Sequence, residues 1–178
     1  IFLKLKSKLE SLLKNICITI ESKEIFNLEV GIKKKNYDKN INLKNLEVAI
    51  VELKDLFRES NYNQKIMHIL ITNYLIDNTS YKSLINNVSA RNMCLEVKFI
   101  SISNDYASKI EKVLEKYHIK IIQYLDAKYI KDFFKNDDLD FSQKVFKIRS
   151  GQNVNEVKLI PKNPKKKGFF EKFFQLFS

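Results

Sequence analysis

The chain has 178 residues, of which 44% are apolar and 30% charged, and its formal net charge is +11. These values are typical of one globular domain with a self-sufficient core and a short extension. The three glycines, Gly31, Gly151 and Gly168, lie far apart in the sequence. This spacing excludes the glycine-rich loops that cradle phosphates in nucleotide-binding proteins.

The first part of the chain predicts a helix followed by two strands. Residues 1–14 place apolar side chains at helical spacing, which favours an amphipathic helix. Ile16–Ile20 and Ile25–Val30 alternate in the manner of strands. A polar loop is expected to begin at Gly31 and to include Lys33–Lys35, since charge runs of this kind are usually solvated.

The central part of the chain predicts a long helix and a strongly apolar strand. Asn42 is a suitable N-cap for a helix that ends near Glu59. The predicted buried stripe of this helix is Leu46, Ala49, Ile50, Leu53, Leu56 and Phe57. Lys65–Ile71 is an apolar strand that Tyr74–Asp77 extends or follows, and Asn78–Asn92 is expected to be mostly loop.

A half-buried strand and another helix are predicted next. Met93–Phe99 alternates apolar and polar residues, which is typical of a strand with one face in the core. Ser103 or Asn104 begins a helix that continues through Tyr117. The side chains expected to point inward from this helix are Ala107, Ile110, Val113, Leu114 and Tyr117.

The remaining elements complete an α+β pattern. Ile119–Tyr124 predicts a strand, Asp126–Phe134 a short closing helix and Lys135–Asp140 a polar link. Val145–Ile148 predicts one last short strand. The order of elements indicates a small sheet of mainly antiparallel strands packed with two or three helices. A flexible basic tail and a C-terminal amphipathic helix are expected to follow this sheet domain.

The C-terminal segment Gly168–Ser178 has the pattern of a short amphipathic helix. Its apolar side chains fall within an arc of roughly 160° at about 100° per residue, and they are Phe169, Phe170, Phe173, Phe174, Leu176 and Phe177. Lys165, Lys166, Lys167 and Lys172 supply positive charge beside this face. Such a helix is too short to span a bilayer but is typical of an in-plane anchor on an anionic membrane. Docking of the helix on its own domain is the alternative.

The distribution of charge favours a membrane surface over nucleic acid. Nine basic and two acidic residues follow Asp140, which places +7 of the net charge of +11 in this segment. The preceding chain is only mildly basic, so no extended groove for phosphates is predicted. A basic nucleic-acid-binding domain remains a second hypothesis, and no nucleic-acid partner is expected under the first.

No residues predict catalysis, a cofactor or a metal site. The histidines, His68 and His118, and the cysteines, Cys17 and Cys94, lie on different predicted elements, which gives little support for zinc. Both cysteines lie in apolar runs and are expected to be buried thiols of a reducing cytoplasm. The acidic pair Asp137–Asp138 is best explained as solvated charge. We therefore expect a protein that is not an enzyme, and no signal peptide or transmembrane segment is recognised.

Five successive segments carry a resemblance to a known family. They are Met67–Asp77, Val88–Val97, Ile100–Ala107, Lys109–Glu115 and Ile119–Ile122. Together they resemble the subdomain inserted into FtsA, the family of actin-like bacterial cell-division proteins. The basic tail with its terminal helix is similar to the membrane-targeting sequence of that family.

The resemblance covers about residues 16–134 and 158–178, and the ATP-binding core of the family has no counterpart here. It implies three parts: an interaction domain at 1–134, a linker and basic tail at 135–167, and a membrane-targeting helix at 168–178. The implied function is that of a divisome adaptor, peripheral on the cytoplasmic face of the inner membrane. It would bind other division proteins or itself through the folded domain. An actin-like relative from pilus assembly is the alternative within this resemblance.

Overall fold

A computed structural model describes residues 15–35, 40–41, 43–83 and 88–158. The strands are β1 (Asn15–Ile20), β2 (Phe26–Lys35), β3 (Asn40–Ile41), β4 (Gln64–Ile76), β5 (Thr79–Tyr81), β6 (Val88–Ser89), β7 (Asn92–Ser103) and β8 (Lys120–Asp126). The helices are α1 (Leu43–Ser60), α2 (Asn104–Glu115), α3 (Ala127–Phe133) and α4 (Phe141–Arg149). The predicted helix at 1–14, the predicted N-cap Asn42 and the tail beyond Lys158 lie outside the described residues.

A four-stranded antiparallel sheet in the order β2-β7-β4-β5 forms the centre of the fold. Beside it, β1 and β8 form a parallel pair, and β3 pairs with β6. The predicted α+β class with a small, mainly antiparallel sheet is therefore confirmed. The described residues contain four helices, whereas two or three were expected.

Two groups of apolar side chains pack on the two faces of the central sheet. Helix α1 covers one face, where Phe57 stacks on Phe99 with ring centroids 4.6 Å apart. Strand β8 and helix α2 cover the other face, where Ile100 and Ile102 are buried against Tyr124. Along β7, the apolar residues from Met93 to Phe99 therefore face the first core, and Ile100 and Ile102 face the second, as the period of two in a strand requires.

Three residues predicted to be buried in helices are exposed instead. Leu56 is 56% exposed because it lies at the margin of the apolar arc of α1, on the side away from Ile50. Val113 is 55% exposed because it is turned about 120° from Ala107 around α2. Tyr117 is exposed because α2 ends at Glu115, two residues before it.

Strand β2 continues where a loop was predicted from Gly31. All ten of its residues pair with β7, ending at Lys35 opposite Asn92. Ile32 maintains the alternation, and Lys34 turns toward α1 and forms an ion pair with Glu52. The loop prediction was wrong because the alternation of inward and outward side chains continues through the lysine run.

The segment after β4 contains a hairpin that was predicted as loop. Asp77 and Asn78 have φ values of 45° and 68° and connect β4 directly to β5. Asp and Asn tolerate this left-handed conformation better than other side chains, which suits a two-residue hairpin turn. Cys17 and Cys94 are half-buried free thiols, less buried than expected.

Helix α4 replaces the strand predicted at Val145–Ile148. Asp140 and Gln143 form a reciprocal capping box at its start, in which each side chain accepts a hydrogen bond from the other residue's backbone N–H. Ile148 is 1% exposed and packs with Leu125, Ile130 and Phe134. The packed body therefore extends past residue 134 through Lys158, including a stretch expected to be linker.

Candidate functional site

The predicted membrane-binding residues all lie outside the described residues. They are Lys165, Lys166, Lys167, Phe169, Phe170, Lys172, Phe173, Phe174, Leu176 and Phe177. The structure does describe the part of the body from which this tail continues, which is the segment Asn153–Lys158. This segment and the side chains that hold it form the candidate site, and we call the segment the C-terminal clasp.

Backbone hydrogen bonds attach the clasp to the outer edge of β4. The N–H of Ile71 donates to the carbonyl of Asn155, and the N–H of Val157 donates to the carbonyl of Ile69, both at 2.9 Å. Glu156 lies opposite Leu70 in an antiparallel bridge. The clasp thus protects this part of the sheet edge and holds the backbone to β4 up to Val157.

A buried histidine joins the clasp to β8. His68 Nδ1 lies 2.6 Å from Glu156 Oε1, and the backbone N–H of Asp126 donates to His68 Nε2 at 2.9 Å. Because Nε2 accepts a hydrogen bond, the ring proton is on Nδ1 and is donated to the carboxylate. His68 therefore links three parts of the chain through one uncharged ring.

Tyr129 and Asn153 complete the polar network around Glu156. The Tyr129 hydroxyl donates to Glu156 Oε2 at 3.0 Å and accepts from Asn153 Nδ2 at 2.8 Å. Burial, followed by the charge of Glu156, raises the pKa of Tyr129 well above its usual range. Since both carboxylate oxygens have donors and His68 is only 1% exposed, the network acts as a structural connection. A substrate has no access to the ring nitrogens.

The clasp was not predicted from the sequence. His68 was placed correctly in an apolar strand, but its partner Glu156 lies 88 residues away. The one local indication is that Glu156 is an isolated acidic residue in the basic segment after Asp140. No spacing rule connects two residues at that separation.

A cleft of about 390 Å³ lies next to the clasp, between β4 and β8. Lys65, Arg149 and Lys158 contribute positive charge to its lining. Lys65 donates to Glu111 at 2.6 Å, and Lys158 donates to the backbone carbonyl of Arg149. Burial lowers the pKa of Lys158, and the charge of Arg149 lowers it further, although Glu156 opposes both effects. The last described residue of the clasp therefore shares this cleft with two other basic side chains, Lys65 and Arg149, and with the carboxylate of Glu156.

Glu111 and Tyr124 hold Lys65 on the β8 side of the cleft. The Tyr124 hydroxyl donates to the same oxygen of Glu111 at 2.8 Å, and the Lys65 ammonium lies 4.9 Å from the Tyr124 ring centre. The hydrogen bond from Lys65, followed by that from Tyr124, lowers the pKa of Glu111. Lys65 is thus paired with the carboxylate of Glu111. The guanidinium of Arg149, by contrast, has no carboxylate partner among the described residues.

A glycine at the end of α4 turns the chain toward the clasp. Gly151 has φ of +92°, and its N–H donates to the carbonyl of Ile148 at 3.0 Å. The N–H of Gln152 donates to the carbonyl of Lys147, also at 3.0 Å, which completes a Schellman ending. A residue with a side chain adopts this backbone conformation only with strain.

We therefore expect Gly151→Ala to lower the free energy of unfolding by about 1–2 kcal/mol. Urea denaturation followed by circular dichroism measures this change. Gly31→Ala is the matched control, because a Cβ there meets Cys94 Sγ at 3.7 Å and the Leu95 carbonyl at 3.9 Å, which are ordinary contacts. Equal effects of the two substitutions would contradict the assigned role of Gly151.

Comparison with known proteins provides no family assignment. No protein-family model matches this chain, and no curated protein does. Among the described residues, no helix is long and apolar enough to cross a membrane. Within the same part of the chain, no three metal-binding side chains are grouped. The site must therefore be interpreted from its own geometry and from the sequence.

Proposed function

We propose that this protein is a bacterial cell-division adaptor. In this proposal the C-terminal helix attaches it to the anionic inner membrane, and the folded body binds division proteins or a second copy of itself. The observation that carries the proposal is the pattern of Lys165–Lys167 followed by the aromatic face of residues 168–178. The mechanism is recruitment, and no covalent bond is made or broken.

The tail has the properties required of a reversible anchor. An isolated helix shorter than about 12 residues is marginal in water, so this one is expected to form on contact with an apolar surface. Its phenylalanines would enter the headgroup region while the lysines contact anionic lipid. One such helix binds weakly, and several copies joined through the body would bind much more tightly.

The clasp supports this proposal by defining the start of the tail. The hydrogen bonds to Ile69 and Ile71, together with the His68–Glu156 contact, hold the chain to the sheet up to Val157. The cleft places the positive charges of Arg149 and Lys158 beside that point. An anionic surface that attracts the tail would therefore meet further positive charge on the body.

The division role rests on the resemblance to the FtsA family described above. In cells, a fluorescent fusion of the full chain is expected to collect at the division site during septum formation. Collection at the cell poles without septal signal would favour the pilus-assembly alternative. This test concerns the cellular process and is independent of whether the tail binds lipid.

Co-sedimentation with vesicles tests the membrane part of the proposal. We expect the intact chain to bind vesicles that contain anionic phosphatidylglycerol and to stay in solution with neutral phosphatidylcholine. Phe173→Glu should weaken binding at least about tenfold, because it replaces an aromatic ring that is expected to enter the headgroup region by a charge. Phe146→Glu is the matched control, since Phe146 is 69% exposed on the body.

Two outcomes would reject the anchor. One is equal recovery of the intact chain and the Phe173→Glu variant in the supernatant at every lipid concentration. The other is equal loss of binding in the Phe173→Glu and Phe146→Glu variants, which would indicate that the tail has no special role. Binding that is lost only in the tail variant supports the proposal.

A further inference from the structure

Strand β2 presents a long, regular edge. It pairs with β7 along all ten residues without a break in register, and no other described strand pairs with it. Leu28, Val30 and Ile32 are half-buried on the face that packs toward the core, while Glu29 and Lys33 are exposed on the opposite face. An edge of this length, free of bulges and proline, is a template for pairing with another strand.

Strand β2 has a sequence that allows favourable contacts with an antiparallel copy of itself. In a two-fold antiparallel pair of β2 strands, residues opposite each other point to the same face of the sheet. With the axis at Gly31, Glu29 of each copy lies opposite Lys33 of the other, and Val30 lies opposite Ile32. The pair therefore contains two opposite-charge contacts on the outer face and two apolar contacts on the inner face, where Leu28 of each copy also lies opposite Lys34 of the other.

The exposed charges are available for these contacts. Glu29 is 68% exposed in its side chain and contacts Lys98 at a distance of 3.4 Å. Lys33 has no ion pair among the described residues, whereas its neighbour Lys34 is paired with Glu52. An incoming Glu29 would thus meet an unpaired lysine.

Other symmetric registers are less complementary. An axis at Val30 places Glu29 opposite Gly31 and leaves the lysines without an acidic partner. An axis at Ile32 pairs Glu29 with Lys35 but places Val30 opposite Lys34. Only the register centred on Gly31 combines two Glu29–Lys33 contacts with two Val30–Ile32 contacts.

We infer that a second copy of this chain binds along β2, antiparallel and centred on Gly31, to form a continuous eight-stranded sheet. This inference deepens the proposed function, since it names the partner through which the adaptor would gain avidity. Two copies joined this way carry two membrane helices. Attachment that is weak for one helix then becomes cooperative.

Sedimentation equilibrium without lipid tests the inference on the full chain. All proteins carry Phe173→Glu so that the aromatic tail does not contribute to association. We expect a concentration-dependent dimer whose dissociation constant rises about tenfold in Glu29→Lys and in Lys33→Glu, because each change creates two like-charge contacts. Lys35→Glu is the matched control, since Lys35 lies opposite the uncharged Asn27 and the constant should change less than about threefold.

Mixing the two single variants gives the most specific readout. In a mixed dimer, position 29 of the Glu29→Lys copy lies opposite position 33 of the Lys33→Glu copy, which gives one opposite-charge contact. The other contact joins the native Lys33 of the first copy to the native Glu29 of the second. Equimolar mixing should therefore restore the dissociation constant of the parent protein, which also demonstrates that both variants are folded.

Three results would overturn the inference. The first is a parent protein that stays monomeric at every concentration. The second is an equal rise of the dissociation constant in Lys35→Glu and Lys33→Glu, and the third is a mixture of the Glu29→Lys and Lys33→Glu proteins that remains monomeric. The first would mean that the lysines protect the edge from association. If the chain without Phe173→Glu binds vesicles but the parent protein stays monomeric, this inference alone is rejected. If the parent protein dimerises but the chain without Phe173→Glu does not bind vesicles, the membrane proposal alone is rejected.

Discussion

His68→Ala is expected to lower the free energy of unfolding by about 3–5 kcal/mol. The substitution removes the donor to Glu156 Oε1 and the acceptor for the Asp126 amide, two hydrogen bonds within the buried network. Among the described residues, it leaves the buried carboxylate with Tyr129 as its one side-chain hydrogen-bond donor, and it also creates a cavity. Urea denaturation followed by circular dichroism measures the change.

Matched variants separate the network from general effects of replacing a histidine. His118→Asn changes the other histidine, which is exposed at φ of 57°, a conformation that asparagine tolerates. The free energy of unfolding of the His118→Asn protein should therefore differ from that of the parent by no more than about 0.5 kcal/mol. His68→Asn can retain a donor toward Glu156 and should be less damaging than His68→Ala. Indistinguishable stabilities of the His68→Ala and His118→Asn proteins would contradict the role assigned to the clasp.

Replacing Lys165, Lys166 and Lys167 together by glutamine is expected to weaken binding to anionic vesicles about a hundredfold. Each lysine close to an anionic surface contributes about 1 kcal/mol, and about 1.4 kcal/mol corresponds to a factor of ten. The measurement is the bound fraction as a function of lipid concentration at low salt. Added salt should reduce the difference between the two proteins, since it screens the attraction.

Three exposed lysines at α2 provide the control for net charge. Replacing Lys109, Lys112 and Lys116 by glutamine removes the same number of charges from the folded body, away from β2 and from the clasp. If the position beside the aromatic helix matters, this variant should bind vesicles much more tightly than the tail variant. Equal loss in both variants would show that total charge, and not the tail, determines binding.

Local patterns in the sequence predicted most of the fold. Alternation identified the buried face of β7, and Ser103 begins α2 as predicted, with its side chain accepting from the N–H of Tyr106 at 3.1 Å. Asp126 likewise caps α3. These elements were predictable because their determining residues are neighbours in the chain.

The misassigned elements had local patterns that allowed two interpretations. Val145, Phe146 and Ile148 fit a short strand as well as a helix, and the Asp140–Gln143 capping box decides for the helix. Lysines after Gly31 suggested a loop, but pairing with β7 keeps them in the sheet. A local cap therefore decided the first element, and tertiary pairing decided the second.

The two parts of the candidate site differ in the same way. The tail pattern is contiguous, so its amphipathic character follows directly from residues 168–178. The clasp depends on His68, Tyr129 and Glu156, which the fold brings together from separate elements. Only the three-dimensional structure reveals that the start of the tail is held to the sheet.

Hydrogen exchange of the full chain, measured with and without anionic vesicles, tests the central claim most directly. The amides of residues 168–178 should exchange rapidly in solution and become protected on vesicles, because the helix forms in the headgroup region. The amides of Ile71 and Val157, which are hydrogen-bonded in the clasp, should be protected in both conditions. Rapid exchange of residues 168–178 in the presence of saturating anionic vesicles would contradict the claim that this segment is a membrane anchor.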